Sequence, residues 1–178
     1  VYNHPAAQAI ICNSGIAHAC TGAEGYGYCK ATADAASEIL GIPSDSVLVA
    51  STGVIGMQIP IDRIVNGVKA MAPKLDESLE AGTEAAKAIM TTDTVKKEVA
   101  VQIEIGGKTV TVGGMCKGSG MIHPNMCTML GFVTTDAAIS KEMLQKALSA
   151  NIKDTFNMVS VDGDTSTNDT VLLLANGM

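Results

Sequence analysis

The chain has 178 residues, with 12 basic against 18 acidic side chains, a formal charge of -6 and 47% hydrophobic content. That balance describes a globular protein, either one domain's worth of chain or a piece of a larger one. An acidic chain with no run of Lys or Arg argues against a nucleic-acid partner, and 3% aromatics with no Trp supply no platform on which bases could stack. No stretch approaches the ~18 to 20 unbroken apolar residues of a membrane helix, and the start reads as no secretory signal. The five cysteines, an odd number, then fit reduced thiols in a cytoplasm.

Ala9-Ile10-Ile11-Cys12 is a short apolar run, read as a buried strand that leaves its sheet through the polar turn Asn13-Ser14-Gly15. A helix is predicted from about Tyr28 to Leu40, stopped by Gly41-Ile42-Pro43. Val47 to Ala50 repeats the buried-strand pattern and runs into a loop of small residues, Ser51 to Gly56. Pro60 opens the next helix, where its missing N–H costs nothing, and Ile61, Ile64, Val65 and Val68 fall on one face. A further helix is expected from about Leu75 to Ile89. Beyond it the period changes to two: Val99, Val101, Ile103 and Ile105 alternate with polar or small residues, and Gly106-Gly107 closes a hairpin onto Val110 and Val112. Residues 113 to 127 carry neither period. Strand resumes from Thr128 to Thr135, Ser140 caps a helix to about Ala150, and Val171 to Leu174 forms a last strand. Helices mixed with strands, at least one hairpin among them, give an α/β or α+β class, a layered sandwich of mixed sheets and helices.

Chemistry concentrates in Gly113-Gly114-Met115-Cys116-Lys117-Gly118-Ser119-Gly120-Met121-Ile122-His123-Pro124-Asn125-Met126-Cys127-Thr128-Met129-Leu130. Glycines there permit positive φ and close backbone approach, a Pro fixes a bend, and the exit is a strand that begins at a Thr. Taken alone, such a stretch also reads as a surface Ω-loop.

The segment from Lys117 to Leu130 resembles the self-processing junction of the ornithine acetyltransferase family, whose members act as glutamate N-acetyltransferases in arginine biosynthesis. Four more stretches follow the family's order: Asn13-Ser14-Gly15 with Ala19-Cys20-Thr21-Gly22, Ala50-Ser51-Thr52-Gly53-Val54-Ile55-Gly56, Thr91-Thr92-Asp93-Thr94, and Val161 to Thr170. The resemblance implies self-cleavage between Cys127 and Thr128. Residues 1–127 would then be the C-terminal part of an α chain and 128–178 the N-terminal part of a β chain, both contributing to one domain. A hydroxyl attacking the preceding carbonyl gives an ester, which water hydrolyses to free the amine. That α-amine has an ordinary pKa of ~7.7 to 8.0, so it can act as base to its own hydroxyl near neutral pH. Thr128 would take acetyl from N-acetylornithine and pass it to glutamate in a ping-pong cycle. The resemblance assigns oxyanion stabilisation to Thr52 and Gly53, and substrate binding to Thr91, Lys117 and Thr128; a Lys can meet the α-carboxylate that both substrates share. It implies no metal or organic cofactor, and cut chains that stay associated as an α2β2 heterotetramer. Some members also accept acetyl-CoA, and no residue here decides that.

Several positions depart from the family pattern. Ile16 and His18 stand where Asn is usual, and Cys127 stands where Ala is usual. Cys127 with His123 forms an alternative nucleophile pair, though nothing in the sequence orients the two. Without C-x-x-C spacing a zinc site is not expected. Asp162, Asp164 and Asp169 miss the calcium-loop template and are read as a hydrogen-bonded turn supporting the site. The family's chains are much longer, so this one reads as an interior portion. Alternative functions are a related self-processing amide hydrolase or aminopeptidase, or an inactive fragment that only binds or assembles.

Overall fold

The computed structural model describes residues 6–121 and 129–178. Cys127, Thr128 and His123 lie outside the described residues. The chain divides into two compact units, Val1–Ala85 and Ala86–Met178, each mixing helices with strands in the α/β manner expected.

In the first unit β1 (Ala9–Ile16) runs parallel to β2 (Val47–Val54), with α1 (Gly22–Leu40) as the crossover between them. α2 (Ile61–Met71) follows, and α3 (Leu79–Ala88) runs across the division. One cluster of the core joins these elements: Ala36 of α1, Val47 of β2 and Val68 of α2 are buried, with Ala9, Ile11, Ala33, Ile42 and Ile64 packed against them. Gly41 ends α1 at φ 66°, its N–H donating to the Ser37 carbonyl, as a C-terminal glycine should. Pro60 precedes α2, and among the residues expected on its inner face Val68 is the fully buried one.

Four sequence expectations are corrected here. Asn13 to Gly15 is not a turn, because the parallel register continues through Asn13 opposite Ser51, Ser14 opposite Thr52 and Gly15 opposite Gly53. For the same reason Ser51 to Val54 is strand and not loop. α1 also begins at Gly22 rather than near Tyr28. Gly25, in the first turn of α1, is buried where a side chain would collide with Thr21, so its small size is used for packing. α3 starts later than expected, at Leu79, where the Ser78 hydroxyl accepts from the Ala81 N–H.

The second unit is a four-stranded sheet in the order β3 (Lys97–Ile105), β4 (Lys108–Lys117), β5 (Leu130–Thr135), β6 (Thr170–Ala175). β3, β4 and β5 are antiparallel, and β6 joins β5 in parallel. Gly106 and Gly107 close the β3–β4 hairpin at φ 59° and 77°, both left-handed, as a two-residue turn requires. α4 (Lys141–Asn151) is capped by Ser140, whose hydroxyl accepts from the Met143 N–H at 3.3 Å. One difference from the sequence reading matters for the site. β4 does not stop at the glycines but continues to Lys117, with Gly113 and Gly114 paired on both sides, to Ala100 and Val99 of β3 and to Thr134 and Val133 of β5. A Cβ at Gly114 would lie 3.2 Å from the Phe132 carbonyl oxygen, so the missing side chain allows close pairing. Among the described residues no helix is long and apolar enough to cross a membrane.

Candidate active site

Thr52 and Gly53 belong to the first unit. Thr52 is 1% exposed, and Gly53 has φ +129°, opposite Gly15 at φ +116°. Any Cβ on Gly53 would collide with the Gly15 carbonyl group and stand 2.6 Å from the Ile16 nitrogen. Only glycine satisfies both the dihedral and the contact. The connection after β1 is tied to the end of β2: the Ala17 N–H donates to the Val54 carbonyl and the Gly56 N–H to the Ala19 carbonyl, each at 2.9 Å. The Ser51 hydroxyl accepts from the His18 N–H at 2.7 Å, and the Gln58 side-chain amide donates to the Thr21 carbonyl at 2.9 Å. A buried hydroxyl beside a backbone held this firmly makes an element whose dipoles are fixed in place. His18 sits against this element through its main chain. Its Nδ1 is buried without a partner among the described residues, and burial lowers its pKa.

The second unit gathers Thr91 and Lys117 around one carboxylate that sequence reasoning did not single out. Asp93 Oδ1 accepts from the Gly118 N–H at 2.8 Å and from the Lys97 ammonium at 2.5 Å, while Oδ2 accepts from the Thr91 N–H at 3.3 Å. Burial opposes ionisation of Asp93, but the Lys97 ammonium and the two N–H donors outweigh it and hold its pKa below 3.8. Thr92 and Ser119 hydroxyls meet at 2.7 Å. Asp93 thereby fixes the Thr91–Thr94 turn against the point where the chain leaves β4.

Lys117 is the last residue of β4 and is 2% exposed. Burial lowers its pKa, with Asp93 and Asp169 acting in the opposite sense and Lys97 reinforcing the drop. It lines a cavity of about 300 Å³ together with Lys97, Gly118, Met129 and Phe156. A buried ammonium in a partly apolar cavity is a strong attractor for a carboxylate, because water competes weakly for the pair.

Lys117 also pairs with Leu130 across the β4–β5 ladder, so the segment between them departs from and returns to a single rung. The returning end is held at Met129. Its N–H donates to Asp169 Oδ1 at 2.9 Å, and its carbonyl accepts from the Thr170 N–H at 3.0 Å. The expected hydrogen-bonded turn at 161–170 is present: Asp162 accepts from the N–H groups of Asp164 and Met121 at 3.3 and 2.6 Å. No metal-holding cluster of His, Cys, Asp or Glu occurs among the described residues.

The ArgJ family model matches residues 1–178. The arginine biosynthesis bifunctional protein ArgJ of Symbiobacterium thermophilum is 57% identical over 171 residues, covering 96% of this chain and 42% of that protein. The protein of the same name from Lactococcus lactis is 52% identical over 171 residues with the same two coverages. The chain thus spans about 42% of the length of the curated relatives it matches. Among solved structures, the arginine biosynthesis bifunctional protein ArgJ of Bacillus halodurans is similar with a TM-score of 0.60 and 46% identity, over 68% of this chain and 61% of that one. The ornithine acetyltransferase of Mycobacterium tuberculosis, crystallised with ornithine, gives 0.55 and 38%, over 65% of this chain and 61% of that one. A family match across the whole length and relatives at this identity have one consequence: the chain belongs to the ArgJ family.

Proposed function

We propose that this chain carries the nucleophile and much of the acetyl-binding machinery of a glutamate N-acetyltransferase that uses N-acetylornithine as donor. The observation that carries the reading is the shared cavity: Lys117 and Met129 line it together, and Met129 is joined by one peptide bond to Thr128. An ammonium suited to an α-carboxylate therefore lies in the cavity next to the residue that follows the proposed nucleophile.

In this reading the Thr128 hydroxyl attacks the Cys127 carbonyl, the C–N bond breaks as the proton passes to nitrogen, and an ester links the two residues. Water hydrolyses that ester, leaving a carboxylate on Cys127 and a free amine on Thr128. The amine accepts the hydroxyl proton while Thr128 Oγ1 attacks the acetyl carbonyl of N-acetylornithine. Thr52, through its hydroxyl, and Gly53, through its N–H, stabilise the tetrahedral oxyanion. Ornithine leaves with the proton, glutamate enters, and its amine takes the acetyl group. Lys117 pairs with the α-carboxylate common to donor and acceptor, and Thr91 contributes to the same binding site. The chemistry as written calls for no cofactor.

The two products of the cut, 1–127 and 128–178 within this chain, remain associated, in an α2β2 assembly, and the enzyme works in the cytoplasm. Intact mass of the full-length protein under denaturing conditions tests the cut. Two species meeting at Cys127/Thr128 support it, and a single species that persists on prolonged incubation refutes it.

A further inference from the structure

Three carboxylates from two loops of the second unit hold main-chain N–H groups at the two ends of the segment that contains the proposed junction. Asp93 Oδ1 holds Gly118 at 2.8 Å, Asp162 Oδ2 holds Met121 at 2.6 Å, and Asp169 Oδ1 holds Met129 at 2.9 Å. Each is a hydrogen bond to a carboxylate, roughly twice as strong as one between neutral groups. Asp162 and Asp169 come from the loop before β6, and Asp93 from the turn before β3. The Lys117–Leu130 rung closes the base of the same segment.

Asp169 differs from the other two. Its Oδ2 is buried and has no partner among the described residues. Burial raises its pKa, against the Met129 N–H, the Ser166 hydroxyl and Lys117, which favour its ionised form. A half-buried carboxylate with one oxygen on the amide after Thr128 and the other buried without a partner among those residues is an expensive arrangement unless it serves the neighbouring residue.

We propose that Asp169 is a positioning residue for Thr128, fixing the amide that follows it, and that Asp162 performs the same service at the other end of the segment. The proposal rests on Thr128 being the self-cleaving nucleophile. Attack on an adjacent carbonyl needs its oxygen within ~3 to 3.5 Å in the right direction, and a misplacement of about 1 Å can cost ~10²-fold in rate. The Met129 amide is bonded directly to the Thr128 carbonyl carbon, so freeing it lets the nucleophile swing.

The test follows self-cleavage of the full-length protein by intact mass over time. Asp169→Ala, which removes the acceptor, slows scission on the order of 10- to 100-fold. Asp169→Asn, which keeps an oxygen for the Met129 N–H, restores the rate to within about threefold of wild type, although both variants lose the same charge. Asp162→Ala gives a smaller slowing. Asp164→Asn, in the same loop and with only its main chain engaged with Asp162, cleaves as wild type does. In the matured enzyme Asp169→Ala lowers kcat while KM for glutamate stays within about twofold. Equal rates for Asp169→Ala and wild type, or equal slowing by Ala and Asn at unchanged melting temperature, overturns the positioning role. Cleavage that persists in Thr128→Ala refutes the nucleophile assignment instead, so the two failures are separable.

Discussion

Replacing Gly53 by alanine puts a methyl group where the structure leaves no space for one. Two costs are separable. At φ +129° an L-residue is strained by ~1 to 2 kcal/mol, and the new Cβ, 2.6 Å from the Ile16 nitrogen and closer still to the Gly15 carbonyl, must push two paired backbones apart. Backbone has no alternative rotamer, so overpacking of this kind adds ~1 to 3 kcal/mol. The sum, about 2 to 5 kcal/mol, is a large part of the ~5 to 15 kcal/mol that holds a typical protein folded. Gly56→Ala is the matched control, with φ +77° and nothing within 4 Å of the added carbon, so it pays only for its dihedral. Urea unfolding of full-length variants, compared at a common m-value, measures both. The expected result is that Gly53→Ala costs at least 1 kcal/mol more than Gly56→Ala, and that acetyl transfer falls ~10² to 10³-fold in the Gly53 variant as its N–H moves. Equal destabilisation by the two, within about 0.5 kcal/mol, would refute the close approach of Gly53 to Gly15.

Lys117→Met removes the cation proposed to meet the substrates' α-carboxylate while keeping an apolar stem; KM for N-acetylornithine and for glutamate should rise together by ~10-fold or more, because a charge-assisted contact to a group both substrates share is lost. Lys117→Arg should not restore it, since the forked guanidinium is larger than the ammonium that a 2% exposed site accommodates. Asp93 has a folded pKa below its unfolded value of 3.8, so its contribution to stability is complete above that pH and is lost as pH falls through the folded pKa. The stability difference between wild type and Asp93→Asn, from urea midpoints, should therefore shrink as pH falls below about 3.8; a difference independent of pH contradicts the bonding described for Asp93. Free acetate measured against N-acetylglutamate should show transfer dominating over hydrolysis, and mainly acetate would favour the amide-hydrolase alternative.

Much of this was legible in the sequence wherever a local rule decides the outcome. Gly106-Gly107 names its own turn because two left-handed residues are needed there, and Gly41 and Ser140 mark helix ends through groups within one turn of themselves. Sequence reading failed where a distant strand decided. Gly113 and Gly114 carry no side chain whose period could announce a strand, yet β3 and β5 pair with both. Ser51 to Val54 reads as a loop of small residues until β1 is laid beside it. Alternation correctly marked β3, but not its burial: Val99 is 68% and Val101 51% exposed, since period two states that one face is apolar and not that the face is covered.

The site shows the same division. Thr52, Gly53, Thr91 and Lys117 were singled out through motifs, whereas the reason Gly53 must be glycine lies in the backbone of Gly15. Asp93 was visible inside Thr91-Thr92-Asp93-Thr94, but its three donors come from Thr91, Lys97 and Gly118, and a spacing rule cannot connect the last of these. The loop from Val161 to Thr170 was read as support, and what it supports became apparent only from the Met121 and Met129 amides on its carboxylates.

The acyl-enzyme is the most direct test of the central proposal. Full-length protein is mixed with N-acetylornithine in the absence of glutamate, quenched in acid and digested, and its peptides are weighed. The account predicts one added acetyl group on the peptide whose first residue is Thr128, discharged when glutamate is supplied. An acetyl group on Cys127 or any other residue, or none under turnover conditions, contradicts it.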